Sequence, residues 1–377
     1  MTATTETAST YPIISADSHI TEPPETYIDF IDPAWRDRAP RMVDGGPGIG
    51  DQFIVDGMKK PINIGTAAAA GLPPEQIRLK GRRFSELHRG GWDPVARLLD
   101  QDRDGVAAEI IYPTVGMVLC NHRDADYKVA CFDAYNRWIA AFCEHAPNRL
   151  IGCGQTAMRS VEEGIADLHS IKALGLRGVM LPGLPVVEDY DSPVYAPFWE
   201  AAIELGLPLS FHILTYRQGE TRGPAMNTFL SVVRGCQDIM GMLVLGGVFE
   251  RHPGLRIVCV EADAGWVPHF LYRMDHAYKR HRYWLPAGQT PLSRLPSEYF
   301  SEHISVTFQD DWTAFRHADD MNWRNLMWAN DFPHSDSTWP WSQAMLAEHT
   351  AQLRPEQREA ILSSNVASLY QLDLTTL

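Results

Sequence analysis

Two short polar motifs, each at the end of an apolar run, constrain this chain more than any other feature. The first run ends in an Asp-x-His motif with Asp17 and His19, and more than 300 residues later another run ends in Asp-x-x-His with Asp331 and His334. Side chains two residues apart on a strand point to the same side, so Asp17 and His19 can bind one cation. If the first and last strands are neighbours in a closed sheet, the two motifs meet. The pattern therefore predicts a metalloenzyme in a barrel.

Short apolar runs alternate with helical stretches along most of the chain. The eight runs are residues 13–16, 108–112, 150–155, 178–181, 208–213, 256–261, 304–308 and 326–330. Continuous apolar runs are typical of parallel strands that are covered on both faces. The helical stretches include 93–104, 124–146, 161–174, 193–205 and, at the end, 351–370. Eight strand–helix units predict an α/β fold, the (β/α)8 TIM barrel.

Residues 24–91 interrupt this alternation after the first strand. They include a glycine-rich turn at 45–48, a strand-like stretch at 52–55 and a run of small residues at 66–71. We interpret them as a lid-like insertion over the barrel mouth, because loops of that length usually serve a function. A surface excursion without function is the alternative. Residues 1–10 are predicted to be a disordered tail and 11–377 a single metal-dependent barrel domain.

Composition narrows the class of partner. The net charge of -14 argues against nucleic acid or an anionic membrane surface as a partner. No run of 18 or more apolar residues is present, so no membrane span is predicted. The six cysteines lie in apolar contexts without a CxxC pair, which indicates buried free thiols in a reducing compartment. We expect a cytoplasmic protein that acts on a small molecule.

Polar residues follow several of the predicted strands at their carboxyl ends, where barrel enzymes carry their chemistry. These residues are Asp17, His19 and Glu22 near the first strand, His212 at the fifth, Glu261 at the sixth, and Asp331 and His334 at the eighth. The set Asp17, His19, His212 and Asp331 offers mixed oxygen and nitrogen donors. Such a set suits Zn, Mn or Fe better than Ca or Mg. The expected cofactor is one or two of these divalent ions.

The chain also resembles the amidohydrolase superfamily, in the branch of aminocarboxymuconate-semialdehyde decarboxylase and related decarboxylases, hydratases and hydrolases. The segments that carry the resemblance are residues 16–23, 247–258, 264–268, 330–334 and 361–370. The resemblance implies a (β/α)8 barrel with a divalent metal that polarises substrate and activates water. The metal ligands that it implies are Asp17, His19, His212 and Asp331. Barrels of this branch often form dimers, so it also implies a homodimer.

Two departures from that branch bear on the reaction. Its decarboxylases carry a catalytic histidine where the sixth strand ends, and this chain has Glu261 there. Their first motif is often His-x-His or Glu-x-His, whereas this chain has Asp17 at the first position. The missing histidine disfavours decarboxylation, because protonating a carbon needs a positioned acid of near-neutral pKa. Glu261 fills that role if burial raises its pKa, or it binds a second metal.

The first hypothesis is a metal-dependent hydrolase or decarboxylase of a small, partly apolar, cyclic organic acid. The metal lowers the pKa of a bound water towards ~7. Asp331 orients or deprotonates that water, and Glu261 or His334 carries the proton. The residues assigned to the substrate are Arg217, for a carboxylate, and Trp328 and His122, for the pocket. A solvated loop position is the alternative explanation of Arg217.

Two further hypotheses stay open. Glu22 and Glu261 make the site rich in carboxylates, and carboxylate-rich sites with a few histidines suit paired iron. The chain also resembles the nonheme di-iron hydroxylases of platensimycin-type diterpenoid biosynthesis, which implies a monooxygenase that hydroxylates a terpenoid-type intermediate with O2. Alternatively, Glu22 serves only as a cap before the insertion. The last hypothesis is a non-catalytic barrel that binds a small molecule. Failure of the protein to bind any metal would favour this hypothesis.

Overall fold

The computed structural model describes residues 11–216, 222–286 and 292–377, and these contain two sheets. In chain order the strands are β1 Ile14–His19, β2 Arg41–Asp44, β3 Asp51–Ile54, β4 Ile62–Asn63, β5 Ala108–Tyr112, β6 Leu150–Gln155, β7 Gly178–Met180, β8 Leu209–His212, β9 Ile257–Val260, β10 Ile304–Phe308 and β11 Leu326–Trp328. Eight of them, β1 and β5 to β11, are neighbours in that order and pair in parallel. The predicted (β/α)8 barrel is confirmed.

The chain after β11 closes the barrel against β1. The backbone N–H of Asp331 donates to the carbonyl of Asp17 at 3.1 Å, and the N–H of His19 donates to the carbonyl of Phe332 at 2.7 Å. The Ser15 hydroxyl donates to the side-chain oxygen of Asn330 at 2.9 Å. Closure therefore brings the two polar motifs together, as the sequence argument required.

Helices surround the barrel and cover its strands. In the described residues the α-helices are Glu25–Phe30, Pro94–Asp104, Val115–Leu119, Ala125–Cys143, Val161–Ala173, Ala196–Leu205, Asn227–Ser231, Arg234–Leu245, Val248–Arg251, Val267–His281, Pro296–His303, Trp312–Arg316, Ser342–His349, Pro355–Glu359 and Asn365–Tyr370. Side-chain caps fix several starts: Asp124 accepts from the N–H of Tyr127, and Ser160 from that of Glu163. Buried strands such as β5 and β9 consequently have no exposed residue, which explains their continuous apolar runs.

The closing helix differs from its predicted extent. It begins at Pro355 instead of residue 351, because proline at the first helical position fits the start of a helix, where its missing N–H is not needed. One π-helical turn, Ala360–Ser364, then separates Pro355–Glu359 from Asn365–Tyr370. The π-helical turn and helix Asn365–Tyr370 pack against β1 and β11.

The insertion is a folded unit that contacts the loop after β11. Strands β2, β3 and β4 form an antiparallel sheet within it. Its run of small residues lies on the second polar motif, because the N–H of Ala70 donates to the carbonyl of Pro333 at 2.9 Å and the N–H of Ser335 donates to Thr66 at 2.9 Å. The hydroxyl of Thr21 also donates to Ala67, at 2.9 Å. These contacts place the insertion at the mouth, and its function as a lid stays a prediction.

One stretch, Asn227–Leu245, is long and apolar enough to cross a membrane by length and composition alone. In the structure it forms the helices Asn227–Ser231 and Arg234–Leu245, and the second of these packs against β8 and β9 as part of the helical layer of the barrel.

All six cysteines are buried and free, as the sequence predicted.

Candidate metal centre

Six acidic and histidine side chains from four strand ends converge at the carboxyl end of the barrel. They form two overlapping groups, Asp17, His19, His212 and Glu261 in the first, and His19, Glu261, Asp331 and His334 in the second. Within each group, one ligand atom per residue lies within 4.8 Å of the others. We call the six residues together the metal cluster. Glu261, which the sequence marked as a departure from the related decarboxylases, belongs to both groups.

The distances within the first group match those between ligands of one ion. The Nε2 atoms of His19 and His212 lie 3.2 Å apart. The Oδ1 of Asp17 lies 3.5 Å and 3.6 Å from these two nitrogens, and the Oε2 of Glu261 lies 3.4 Å and 3.3 Å from them. Side chains with these separations would hold one divalent ion between them, with mixed nitrogen and oxygen donors.

Both imidazoles of the first group are held by backbone carbonyls on the far side of the ring. The Nδ1 of His19 lies 3.0 Å from the carbonyl of Pro113, and the Nδ1 of His212 lies 3.1 Å from that of Ile213. A carbonyl only accepts, so Nδ1 carries the hydrogen and the lone pair of Nε2 faces the metal cluster. Metal-bound histidines are commonly held in this way.

Five of the six carboxylate oxygens in the metal cluster have no hydrogen-bond partner in the part of the chain that the structure describes. Both side-chain oxygens of Asp17 and Asp331, and the Oε2 of Glu261, are buried without a partner among the described residues. Burying an unpaired carboxylate costs several kcal/mol, so such groups occur mainly where a cation compensates them. The residues present therefore fit a divalent cation.

Protonation within the metal cluster leads to the same conclusion. Burial lowers the pKa of His19 well below its ordinary value and lowers that of His334 to about 4, so both rings are neutral near pH 7. Burial, followed by the charges of Asp331 and Asp17, raises the pKa of Glu261. Burial and the charge of Asp17 likewise raise the pKa of Asp331. A bound cation favours the ionised carboxylates and requires the neutral imidazoles.

Two carboxylates of the metal cluster stand on strained backbone. Glu261 follows β9 with φ at +54°, and Asp331 lies beyond β11 with φ at +50°. Left-handed φ is uncommon for residues other than glycine and concentrates at functional sites. The turns that end these strands therefore aim both carboxylates into the mouth.

His334 bonds differently from the other two histidines. Its Nδ1 lies 3.1 Å from the Oδ1 of Asp331, and its Nε2 lies 2.8 Å from the hydroxyl of Thr114. Its ring stacks on that of His19 with centroids 3.9 Å apart. Asp331 and His334 thus form a pair beside the first group, in the place where the sequence argument assigned proton transfer.

A buried ion pair that sequence reasoning missed joins the two motifs. Arg97 donates from Nε to Glu109 at 2.6 Å, from one terminal nitrogen to the carbonyl of His19 at 2.6 Å, and from the other to the carbonyl of Phe332 at 3.3 Å. Arg97 and Glu109 are both buried. One arginine in a helix gives no signal in a sequence, but a glutamate within the apolar run of β5 is a signal that could have found the pair.

Glu22 lies outside the metal cluster. Its carboxylate accepts hydrogen bonds from the backbone N–H groups of Val115 at 3.0 Å and Gly116 at 3.1 Å. Both donors are at the start of helix Val115–Leu119, whose N-terminus favours an anion. Both of its carboxylate oxygens therefore accept hydrogen bonds, whereas those of Asp17 accept none among the described residues.

Two of the three residues predicted to bind substrate, His122 and Trp328, lie outside the metal cluster. The Nε2 of His122 lies 2.7 Å from the carbonyl of Asp56, so the ring anchors the insertion. The side chain of Trp328 is fully buried in the hydrophobic core of the barrel, because it belongs to β11 itself and precedes the loop at the mouth. Arg217 lies outside the described residues.

The fold and the metal cluster together define a (β/α)8 barrel with a candidate divalent-metal site at the carboxyl ends of its strands. A family model described as amidohydrolase matches residues 17–372, and the chain therefore belongs to the amidohydrolase family. This confirms the resemblance that the sequence motifs indicated.

Comparisons with individual proteins agree with the family. A 2-amino-3-carboxymuconate-6-semialdehyde decarboxylase of Dictyostelium discoideum is 28% identical over 233 residues, which span 60% of this chain and 62% of that protein. An amidohydrolase structure from Mycobacterium avium subsp. paratuberculosis K-10 matches with a TM-score of 0.77 at 18% identity, covering 98% and 100% of the two chains. A manganese-bound 5-carboxyvanillate decarboxylase from Novosphingobium aromaticivorans matches with a TM-score of 0.66 at 16% identity, covering 96% and 98%. These structural matches show the fold alone, and none of the three proteins supports the di-iron hydroxylase hypothesis.

Proposed function

We propose that this protein is a divalent-metal-dependent enzyme that cleaves a small, partly apolar, cyclic organic acid, by decarboxylation in preference to hydrolysis. The observation that carries the proposal is a set of buried carboxylate oxygens that have no partner within the described ranges and that face the lone pairs of His19 and His212. Decarboxylation is preferred because the similar protein of Dictyostelium discoideum is a decarboxylase of an organic acid.

Each side chain has a distinct role in this proposal. Asp17, His19, His212 and Glu261 hold the metal, which when bound polarises the substrate and supplies an acidic water. We assign Glu261 to the metal because its Oε2 lies within 3.4 Å of both Nε2 atoms. This assignment removes Glu261 as the proton donor that replaces the missing histidine.

Proton transfer then falls to Asp331 and His334. The 3.1 Å contact between their side chains gives a path for a proton at the edge of the metal cluster. For decarboxylation, this pair delivers a proton to the carbon that loses the carboxyl group. For hydrolysis, it takes one from water.

The first test is metal content, because the two reactions and the binding-only hypothesis all depend on it. Protein purified without added metal or chelator is expected to hold Zn, Mn or Fe, measured by inductively coupled plasma mass spectrometry. Asp17→Asn is expected to lower the metal content strongly. Glu22→Gln is the matched control, since Glu22 is a buried carboxylate nearby whose oxygens bind backbone N–H groups, and it is expected to keep the metal. Protein without metal would refute the proposal and favour the binding-only barrel.

The second test separates the reactions. Metal-loaded protein is incubated with 5-carboxyvanillate, 2-amino-3-carboxymuconate-6-semialdehyde and a series of hydroxybenzoates, and CO2 release is recorded beside product masses. Release of CO2 with one solvent hydrogen gained per product supports decarboxylation. Addition of water without CO2 would replace decarboxylation by hydrolysis.

A further inference from the structure

We propose that Thr307 is a positioning residue that holds the turn after β9 in shape, so that Glu261 reaches the metal. Thr307 belongs to β10, and its side chain is completely buried. Its Oγ1 accepts a hydrogen bond from the backbone N–H of Glu261 at 2.9 Å. The inference rests on the proposed function for the assignment of Glu261 to the metal, whereas the contact with Thr307 is part of the fold.

The turn after β9 has a backbone that needs support from outside. Glu261 has φ at +54° and Asp263 has φ at +53°, with only Ala262 between them. Residues other than glycine rarely adopt left-handed φ, and they keep it only where the surrounding structure determines it. Contacts from the neighbouring strand and its loop must therefore hold this turn.

Thr307 holds the near end of the turn. Regular pairing of β9 with β10 ends at Cys259 and Val306. Thr307 directly follows Val306, and its hydroxyl accepts the N–H of Glu261, the second residue after Cys259. A side-chain hydroxyl thus continues the contact between the two strands beyond their last paired residues. This contact fixes the direction in which the chain leaves β9.

Asp311, in the loop after β10, holds the far end of the turn. Its Oδ2 accepts from the N–H groups of Ala264 at 2.9 Å and Gly265 at 2.6 Å. Its Oδ1 accepts from the N–H of Ala314 at 3.1 Å, at the start of helix Trp312–Arg316. One carboxylate therefore joins the end of the turn to the helix that follows β10.

The position of Glu261 matters because its carboxylate must meet the metal together with two imidazoles. Its Oε2 lies 3.4 Å from the Nε2 of His19 and 3.3 Å from that of His212. Without the hydroxyl of Thr307, the N–H of Glu261 has to find another acceptor, and the turn moves to reach it. Residues that orient a metal ligand typically contribute about 10- to 100-fold to metal affinity. A purely structural link between β9 and β10 is the competing explanation.

The direct test is the dissociation constant of Zn, used alone as the probe on chelator-treated protein and measured by competition with a chromophoric chelator. Thr307→Val keeps the shape of the side chain and removes the hydroxyl, so we expect it to raise the Kd about 10- to 100-fold. Thr307→Ser keeps a hydroxyl and should restore most of the affinity. An unchanged Kd in Thr307→Val would overturn the proposal.

The matched control is Thr21→Val. Thr21 is also a buried threonine near the mouth whose hydroxyl bonds a backbone group, the carbonyl of Ala67 at 2.9 Å. That bond joins the loop after β1 to the insertion and does not involve a residue of the metal cluster. We expect Thr21→Val to keep the Kd of the wild type, and an equal rise in both valine variants would mean that Thr307 is only a structural link.

A double-mutant cycle separates positioning from a structural link. If Thr307 acts through Glu261, Thr307→Val should raise the Kd in the wild type and leave it unchanged in Glu261→Ala, which has no carboxylate to position. An equal rise in both backgrounds would overturn the proposal.

A spectroscopic readout covers the case in which Glu261→Ala binds Zn too weakly for the cycle. The absorption bands of bound Co depend on the ligands of the ion, so we expect Thr307→Val to change them and Thr21→Val to leave them as in the wild type. Bands of Thr307→Val that match the wild type would overturn the proposal.

The same measurements distinguish failure of the proposed function from failure of this inference. If Glu261→Ala binds Zn as tightly as the wild type, Glu261 is not a ligand, and that assignment in the proposed function fails together with the inference. If Glu261→Ala loses affinity and Thr307→Val keeps it, only the inference about Thr307 fails.

Discussion

The loss of stability on breaking one contact can be estimated most directly for the buried ion pair between Arg97 and Glu109. Arg97→Met keeps a long apolar stem of similar reach and removes the guanidinium. Glu109 would then keep its charge in a site where both side chains are almost completely buried, at 0% and 1% exposure. The carbonyls of His19 and Phe332 would lose a donor at the same time.

The expected loss of stability follows from these contacts. Breaking a buried ion pair by removing one partner costs about 3–5 kcal/mol. A chain of 377 residues has an unfolding entropy near 60 °C of about 0.8 kcal/mol/K, from ~2.1 cal/mol/K per residue. Arg97→Met should therefore lower the melting temperature by about 4–6 °C.

The assay is differential scanning calorimetry after treatment with a chelator, so that metal affinity does not contribute. Arg149→Met is the matched control, because Arg149 also pairs with an aspartate and donates to a carbonyl, but its side chain is 28% exposed and that of Asp102 is 60% exposed. We expect the control to melt about 1–3 °C lower than the wild type, since exposed pairs contribute little. A shift for Arg97→Met no larger than that of Arg149→Met would refute the reasoning.

Three further changes have defined expectations. Asp331→Asn keeps the shape of the side chain and removes its charge, so we expect activity to be abolished and metal content to fall; retention of both would contradict the site. Removing metal with a chelator should lower the melting temperature, because an ion present at 100 times its Kd stabilises by about 2.7 kcal/mol, and an unchanged melting curve would count against a bound ion. Burial raises the pKa of Asp104 from an ordinary value near 3.8 to about 7. The native state therefore binds the proton more tightly than the unfolded state, and stability should fall as pH rises from about 4 to about 7. Asp104→Asn should flatten that part of the curve of melting temperature against pH, and an equally steep curve would show that another group causes it.

Much of the fold was predictable because its signal is local. The runs that became β5, β6 and β10 were identified within one residue of their observed ends, since parallel strands covered on both faces are apolar throughout. The start of the closing helix was misplaced by four residues, because an apolar pattern continued through a turn that ends at Pro355. Closure of the barrel was inferred and then found in the hydrogen bonds between β1 and the loop after β11.

The site was predictable only where position along a strand decides the outcome. Asp17, His19 and His212 lie at the carboxyl ends of their strands, so the barrel brings them together whatever their neighbours are. Thr114 and Arg97 act through contacts with residues 220 and 78 positions away along the chain. Neither has a spacing or a composition that distinguishes it from a surface residue of the same type, and the sequence points to Arg97 only indirectly, through the charged Glu109 within the apolar run of β5.

The two glutamates show why position alone does not identify a ligand. Glu22 and Glu261 both follow a strand end at the mouth, and both are raised in pKa chiefly by burial. Glu22 meets the free N–H groups at the start of helix Val115–Leu119, which satisfy a carboxylate without a metal. The Oε2 of Glu261 lies beside the Nε2 atoms of His19 and His212, whose rings carry the hydrogen on Nδ1, and it has no donor among the described residues. A buried carboxylate thus becomes a candidate ligand when the fold gives it no donor, and that depends on the neighbours of its oxygens in three dimensions.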